Sequence, residues 1–345
     1  MYEVPFPSPA RPRVLVELGS DMIAFESSDD SQTPLTGANF VETLKCLGTE
    51  NLLYAMLLTL LEQKLLVHSL RPWLLTCVAE TLCALMFPFS WNLPYIPQCP
   101  LPLGFVFNAP LSFMAGVDSR YFDLYEEPPS DVTCFDLDTA TISQSAVRKL
   151  YQLSMLPKKP LKRLRAALDE IGTKISEKQP KKGSGAGGGA MDYEQTARRM
   201  HSELAIRDAF LRFMCCLMFM CCLMDGYTDF LCPIMDSPWK KGATDVCKLF
   251  DWEHFMQSRD KNSMEFYAKF RETTCFNRFI EERSTVEDKS VFYVFFDDCI
   301  AKLRAGEGND FEKGANYKNN LVKIDNIFER IRFFFLINNL LKQTE

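Results

Sequence analysis

The chain has 345 residues, enough for two domains or three small ones. Hydrophobic residues make up 47% and charged residues 24%, which is the balance of a folded protein and excludes a disordered one. The net charge of −6 argues against nucleic acid as the main partner, because surfaces that bind it are basic.

Residues 1–12 carry Pro5, Pro7, Pro9 and Pro12 and read as an extended linker. The opening MYEVPFPSPARPR lacks the apolar core of a secretory signal. Arg13–Leu18 (RVLVEL) alternates as a strand does, and the polar stretch Ser20–Gly37 reads as a loop. Phe40–Leu47 and Leu52–Glu62 read as helices, with Thr49 as N-cap of the second.

Lys64–Ser69 (KLLVHS) is a strand, and Leu70–Met86 a helix with Pro72 in its first turn, where a missing N–H costs nothing. Trp73, Leu74, Cys77, Val78, Leu82, Leu85 and Met86 fall near a helical period and predict one buried face. Pro94–Pro97 (PYIP) is rigid and bears Tyr95; it reads as a crossover loop or a contact point. Ser112–Val117 and Val132–Leu137 are further strands. Strand, helix, strand at this spacing predicts an α/β module with a mostly parallel sheet.

Lys158–Lys182 holds nine cations against three carboxylates, a net of +6. Leu161, Leu164, Leu168 and Ile171 form an apolar stripe, so Leu161–Ile171 is an amphipathic helix. The basic stretch reads either as a solvated linker or as a contact for anionic lipid. Gly183–Ala190 (GSGAGGGA) is a flexible linker. Beyond Tyr193 the pattern is helical, in runs near 193–224, 258–283, 292–303 and 320–341, and predicts an all-α module. Within it Phe213–Met218 (FMCCLM) repeats at once as Phe219–Met224. On a continuing helix the copy would sit about 120° from the first face.

Thirteen cysteines, an odd number at irregular spacing and mostly inside apolar runs, predict free buried thiols in a reducing cytosol. Leu52–Leu61, Phe213–Met224 and Phe333–Ile337 are apolar but shorter than the roughly 20 residues of a membrane span.

Site chemistry is sparse. Gly183–Gly188 matches G-x-G-x-x-G in letters, but Lys178, Gln179 and Pro180 precede it where a strand is required. Cys215, Cys216, Cys221 and Cys222 alternate with Met and Leu on a helix, as core residues do and zinc ligands do not. The histidines are His68, His201 and His254. His68 and Ser69 point to opposite faces of one strand and so do not form a nucleophile–base pair. Asp136 and Asp138 share a strand face and read as strand-end caps or as acid/base carboxylates. No cofactor or metal is expected. Asp118–Asp123 (DSRYFD) follows a strand, where partners of open α/β sheets tend to meet the carboxyl ends. Asp118, Ser119, Arg120, Tyr121 and Asp123, with Tyr95, are therefore the candidate partner-binding residues; the competing reading is an internal Arg–Asp clamp.

KLLVHSLRPWLL (Lys64–Leu75), FPFSWNLPYIPQCPLPL (Phe87–Leu103), NAPLSFMAGVDSRYFDLYEEPP (Asn108–Pro129) and VTCFDLDTATIS (Val132–Ser143) come in an order and spacing that resemble the central module of a DENN domain. The similarity is to the branch that includes Crag and the Myc promoter-binding protein, and covers about Gly37 to Met155. SRD (Ser258–Asp260), YAKF (Tyr267–Phe270), RFIEERS (Arg278–Ser284) and FFDDCIAKL (Phe295–Leu303) resemble the downstream helical module. The resemblance implies a central three-layer αβα module followed by helices, and a cytoplasmic guanine-nucleotide exchange factor for a Rab GTPase in vesicle trafficking. It also implies an N-terminal longin-like module that this chain appears without. The expected division is 1–36 as linker and last strand of that module, 37–155 as the α/β module, 156–192 as basic helix and linker, and 193–345 as the helical module. The alternatives are a GTPase- or partner-binding scaffold without exchange activity, and an ordinary α/β enzyme.

Overall fold

A computed structural model describes residues 13–18, 21–26, 38–143, 147–177, 190–220, 225–226, 249–284 and 291–304. The chain divides into two compact units, 1–296 and 297–345.

Strand β1 (Arg13–Leu18) pairs antiparallel with β2 (Asp21–Glu26), from Arg13 opposite Glu26 to Leu18 opposite Asp21. β2 lies where a loop was expected, because the sequence sets the apolar Met22, Ile23 and Phe25 between the acidic Asp21 and Glu26 in an otherwise polar stretch. Helix α1 (Phe40–Leu60) opens on Asn39, whose side-chain oxygen accepts the Glu42 N–H at 3.0 Å. Gly48, at φ 71° and ψ 171°, breaks α1 into the two segments that the pattern predicts. The second segment is apolar all round and is buried all round.

Four parallel strands follow: β3 (Leu65–Ser69), then, after α2 (Pro72–Leu85), β4 (Tyr95–Cys99), β5 (Met114–Asp118) and, after the short α3 (Tyr121–Leu124), β6 (Thr133–Asp136). A two-residue strand β7 (Thr141–Ile142) adds antiparallel to β6, giving the order β4-β5-β3-β6-β7. Leu65, Leu66 and Val67 are fully buried because β3 is central and covered on both faces. β4 lies where Pro94–Pro97 reads as a rigid crossover loop or contact point. An edge strand accommodates proline, and the register shift between Ile96 and Cys99 absorbs it.

Helices α1 and α2 cover one face. The other face carries a thinner layer, the 3-10 helix Leu101–Asn108 together with α3, packed on Leu66, Ala115, Val117 and Cys134. This is the three-layer αβα arrangement. On α2 the buried stripe is Leu74, Leu75, Val78, Ala79, Leu82 and Leu85. Trp73, expected in that stripe, is 52% exposed because it lies about 160° round the helix from the stripe's centre.

After α4 (Val147–Leu150), α5 (Lys158–Glu177) buries Leu161, Leu164 and Leu168 and packs on α1 and on α6 (Ala190–Met218). Over 158–177 the basic stretch is therefore an ordered helix, not a linker; 178–182 and the glycine run 183–189 lie outside the described residues. α6 ends at Met218. The second FMCCLM copy does not continue it: Phe219–Met220 is strand β8, paired antiparallel with β9 (Asp225–Gly226), and 221–224 lie outside the described residues.

The downstream helices are α7 (Trp252–Gln257), α8 (Met264–Arg271), α9 (Thr274–Ser284) and α10 (Val291–Arg304). Their core is aromatic: Phe250, Phe255, Phe266, Tyr267, Phe270, Phe276 and Phe279 are all buried. Phe89, from the loop after α2, stands edge-on to Phe270 and Phe279 at ring separations of 5.0 and 5.1 Å. The hydroxyl of Tyr267 donates to the Leu217 carbonyl in the last turn of α6 at 2.7 Å. The run expected near 320–341, like residues 1–12, lies outside the described residues. No described helix is long and apolar enough to cross a membrane.

Candidate functional site

The four parallel strands end together at Ser69, Cys99, Asp118 and Asp136, and the loops leaving those ends carry most of the residues singled out by sequence. After β5 the chain turns sharply around Asp118. Its Oδ1 accepts the backbone N–H and the Nε–H of Arg120, both at 2.9 Å, and its Oδ2 accepts the Arg120 Nη2 at 2.7 Å. These Arg120 hydrogen bonds hold the Asp118 carboxyl below the usual carboxylate range. The Arg120 side chain is nevertheless 66% exposed. It thus forms the expected Arg–Asp clamp and still offers an outer edge to solvent.

Ser119 hydrogen-bonds His68 on the neighbouring strand, Oγ to Nδ1 at 3.0 Å, while its backbone N–H donates to the Ser69 carbonyl at 3.3 Å. Burial pushes His68 below its ordinary 6.5, against the pull of Asp136 and Asp138. Sequence considered only the adjacent Ser69 as a partner; the parallel pairing of β3 and β5 supplies Ser119 instead. Among the described residues no carboxylate hydrogen-bonds this pair, although the charges of Asp136 and Asp138 act on His68. Asp136 accepts the N–H groups of Asp138 and Thr139 and the Thr139 hydroxyl. Asp138 accepts the Ser69 hydroxyl, the Leu70 N–H and the Arg71 Nε–H. Both carboxylates therefore cap loops, as one reading expected. Asp138 also holds Leu70 and Arg71 out of α2, which is why that helix begins at Pro72. Among the described residues no group of His, Cys, Asp and Glu is placed to hold a metal ion.

Tyr121 is not a surface residue. It is 5% exposed, because its ring drops into the space above Gly104 of the 3-10 helix and meets Phe107 edge-on at 5.3 Å. Asp123 is exposed on the outer side of α3. Tyr95 lies apart from this group, on the α2 face of the sheet. It is half-buried, and its hydroxyl donates to Glu80 at 2.7 Å. Burial, then the Glu80 bond, raises its pKa, so it remains a neutral donor.

What sequence missed is apolar. Phe105 is 68% exposed, Leu124 is 65% exposed, and Leu103 and Tyr125, their neighbours in sequence, are exposed as well. Tyr125 stacks on Tyr121 at 5.3 Å, so the buried Tyr121 joins the two exposed groups. Leu70 and Trp73 are also exposed, where β3 runs into α2. The missed signal was a period of three in LPLGFVFN: Gly104 and Phe107 face inward, and Leu103, Phe105 and Asn108 face outward. Below these loops lies a cavity of 650 Å³ lined in part by His68, Phe122, Glu127, Asp136, Thr139 and Ile142.

Residues 1–140 match the family model of the DENN (AEX-3) domain, and residues 250–299 match that of the dDENN domain. Over 142 residues the chain is 30% identical to the DENN domain and WD repeat-containing protein SCD1 of Arabidopsis thaliana. That stretch covers 41% of this chain and 12% of that protein, so the chain spans only a small part of the relative's length. The clustered strand ends fall inside the DENN match.

Proposed function

We propose that this DENN domain protein binds a Rab GTPase through the carboxyl ends of its parallel strands and promotes GDP release from it. DENN domains are generally exchange modules for Rab GTPases. The observation that carries the reading here is that Tyr121, next in sequence to the exposed Arg120, packs on Gly104 and stacks on Tyr125, while Leu103, Phe105, Leu124 and Tyr125 on the two packed segments are exposed. Aromatic residues and arginine dominate the energetics of protein interfaces, and exposed apolar side chains that lie together mark docking surfaces. Asp118 holds Arg120 and Ser119 braces the loop, while Asp123 lies on the rim. The branch shared with Crag and the Myc promoter-binding protein, cytoplasmic location and action in vesicle trafficking belong to the same proposal.

Such a protein performs no covalent step. It binds a form of the GTPase that holds nucleotide poorly, and the coupling is reciprocal: what weakens GDP is weakened by GDP. A tenfold loss of GDP affinity needs about 1.4 kcal/mol of differential binding. The test is release of fluorescent GDP from a panel of purified Rab GTPases with the full chain added. Faster release from one or two members supports exchange. Binding to a Rab without release leaves a scaffold, and no binding to any member sinks the reading.

A further inference from the structure

Between Asp138 and Asp169 the chain has no carboxylate side chain, yet it holds seven cations: Arg148, Lys149, Lys158, Lys159, Lys162, Arg163 and Arg165. This occurs in a protein whose net charge is −6. Arg165 is paired with Glu50. The other six are exposed and form no ion pair among the described residues.

Four of these six lie on α5 and two on α4, the short helix just before it. α5 buries Leu161, Leu164 and Leu168 and turns Lys158, Lys159, Lys162 and Arg163 outward over its first two turns. α4 is anchored by the buried Val147 and joined to α5 by a short connection in which Met155 and Leu156 are buried. The charge of Arg148 is felt by Tyr54 of α1, the helix on which α5 also packs. α8 borders the patch at Tyr151, where Lys269 sits 5.0 Å above the ring and pairs with Glu265, so that contact adds no net charge.

These cations do not serve the helix. The start of a helix carries partial positive charge and favours acidic residues, and the first turn of α5 has none. Amid the cations Leu150 is 62% exposed. A leucine beside clustered lysines gains nothing from a phosphate polymer in water. It gains from a membrane interface, where the cations meet anionic headgroups and the apolar chain enters the acyl boundary.

We infer that the surface formed by Arg148–Leu150 and the first two turns of α5 is a docking site for membranes rich in anionic lipid. The inference is independent of the GTPase reading. The experiment is co-sedimentation of the full chain with phosphatidylcholine vesicles, with and without phosphatidylserine, at two salt concentrations. Binding is expected only to the anionic vesicles and weakens as salt rises. Changing Lys158, Lys159, Lys162 and Arg163 together to Glu should reduce partitioning by about fivefold per cation. The added carboxylates suit the helix start, and an unchanged circular dichroism spectrum establishes that the variant folds. Leu150→Ser, which alters no charge, should weaken binding as well. Equal binding to neutral vesicles, or full binding by the four-fold variant, overturns the inference. So does binding of RNA or inositol hexakisphosphate without vesicle sedimentation. GDP release measured in solution stays at the parent rate in the variant, which separates this failure from failure of the exchange reading.

Discussion

Both carboxylate oxygens of Glu62 accept backbone N–H groups at the start of α9, from Thr274 and from Cys275, each at 2.8 Å. Glu62 lies just beyond α1 at φ 50°, a left-handed conformation uncommon for glutamate, and is 8% exposed. The burial of this charge is tolerable because two otherwise orphaned helix N–H groups satisfy it and the helix start favours a negative charge. The contact joins the DENN match to the dDENN match across 212 residues of sequence.

Glu62→Ala leaves the buried Cys275 N–H and the partly buried Thr274 N–H unpaired. The expected loss is about 2–3 kcal/mol of unfolding free energy, read by urea titration. Glu62→Gln keeps one acceptor and should lose roughly half as much. A loss below measurement in both variants would mean that Glu62 does not secure α9.

Much of the central sheet was legible in the sequence because β3, β5 and β6 are apolar runs bounded by turns. β4 was not, since Pro97 argues against a strand unless its edge position is known. Glu62 looked like the polar end of a helix, and only the tertiary fold brings α9 to it. The same holds for His68: adjacent Ser69 was the visible neighbour, while Ser119 arrives by strand pairing. Tyr121 was misjudged because an aromatic in a polar loop reads as surface, and the vacancy left by Gly104 lies elsewhere in the chain.

His68 gives the unfolding equilibrium a dependence on pH. Burial lowers its folded pKa below the ordinary 6.5, with Asp136 and Asp138 opposing. Its contribution to stability is therefore present above the unfolded value and is lost as pH falls through the folded one. His254 has the opposite sign: its bond to Asp251 raises its pKa, so its contribution is present at low pH and lost as pH rises through the raised value. Comparing His68→Gln with the parent from about pH 7.5 to 5.5 isolates His68. The parent's stability should fall relative to the variant's as pH drops. A constant difference across the window would place the proton elsewhere.

Arg120→Glu should weaken Rab binding by about tenfold or more, the scale of an interface anchor, without shifting the unfolding midpoint. Arg120 is a suitable probe because its clamp with Asp118 is solvent-exposed, where ion pairs contribute little to stability. Phe105→Ser should act in the same direction through lost apolar contact. An unchanged affinity for both variants, measured by titration calorimetry, removes this edge of the sheet from the interface.

Gly104 sets the shape of that edge. A Cβ there would stand 2.2 Å from Cε2 and 3.1 Å from Cδ2 of Tyr121, and the obstacle is a packed aromatic ring rather than the free end of a flexible chain. Gly104→Ala should therefore cost about 1–3 kcal/mol, as overpacking does. The displaced ring would also disturb the Tyr121–Tyr125 stack and so the exposed apolar group above it. A double-mutant cycle separates this cause from a general loss of glycine flexibility. If the clash is the cause, Gly104→Ala costs much less once Tyr121→Ala has removed the ring, with a coupling of about 1 kcal/mol or more. Additive costs would show that Gly104 is required by its backbone, and Rab binding would then follow overall stability rather than the position of Tyr121.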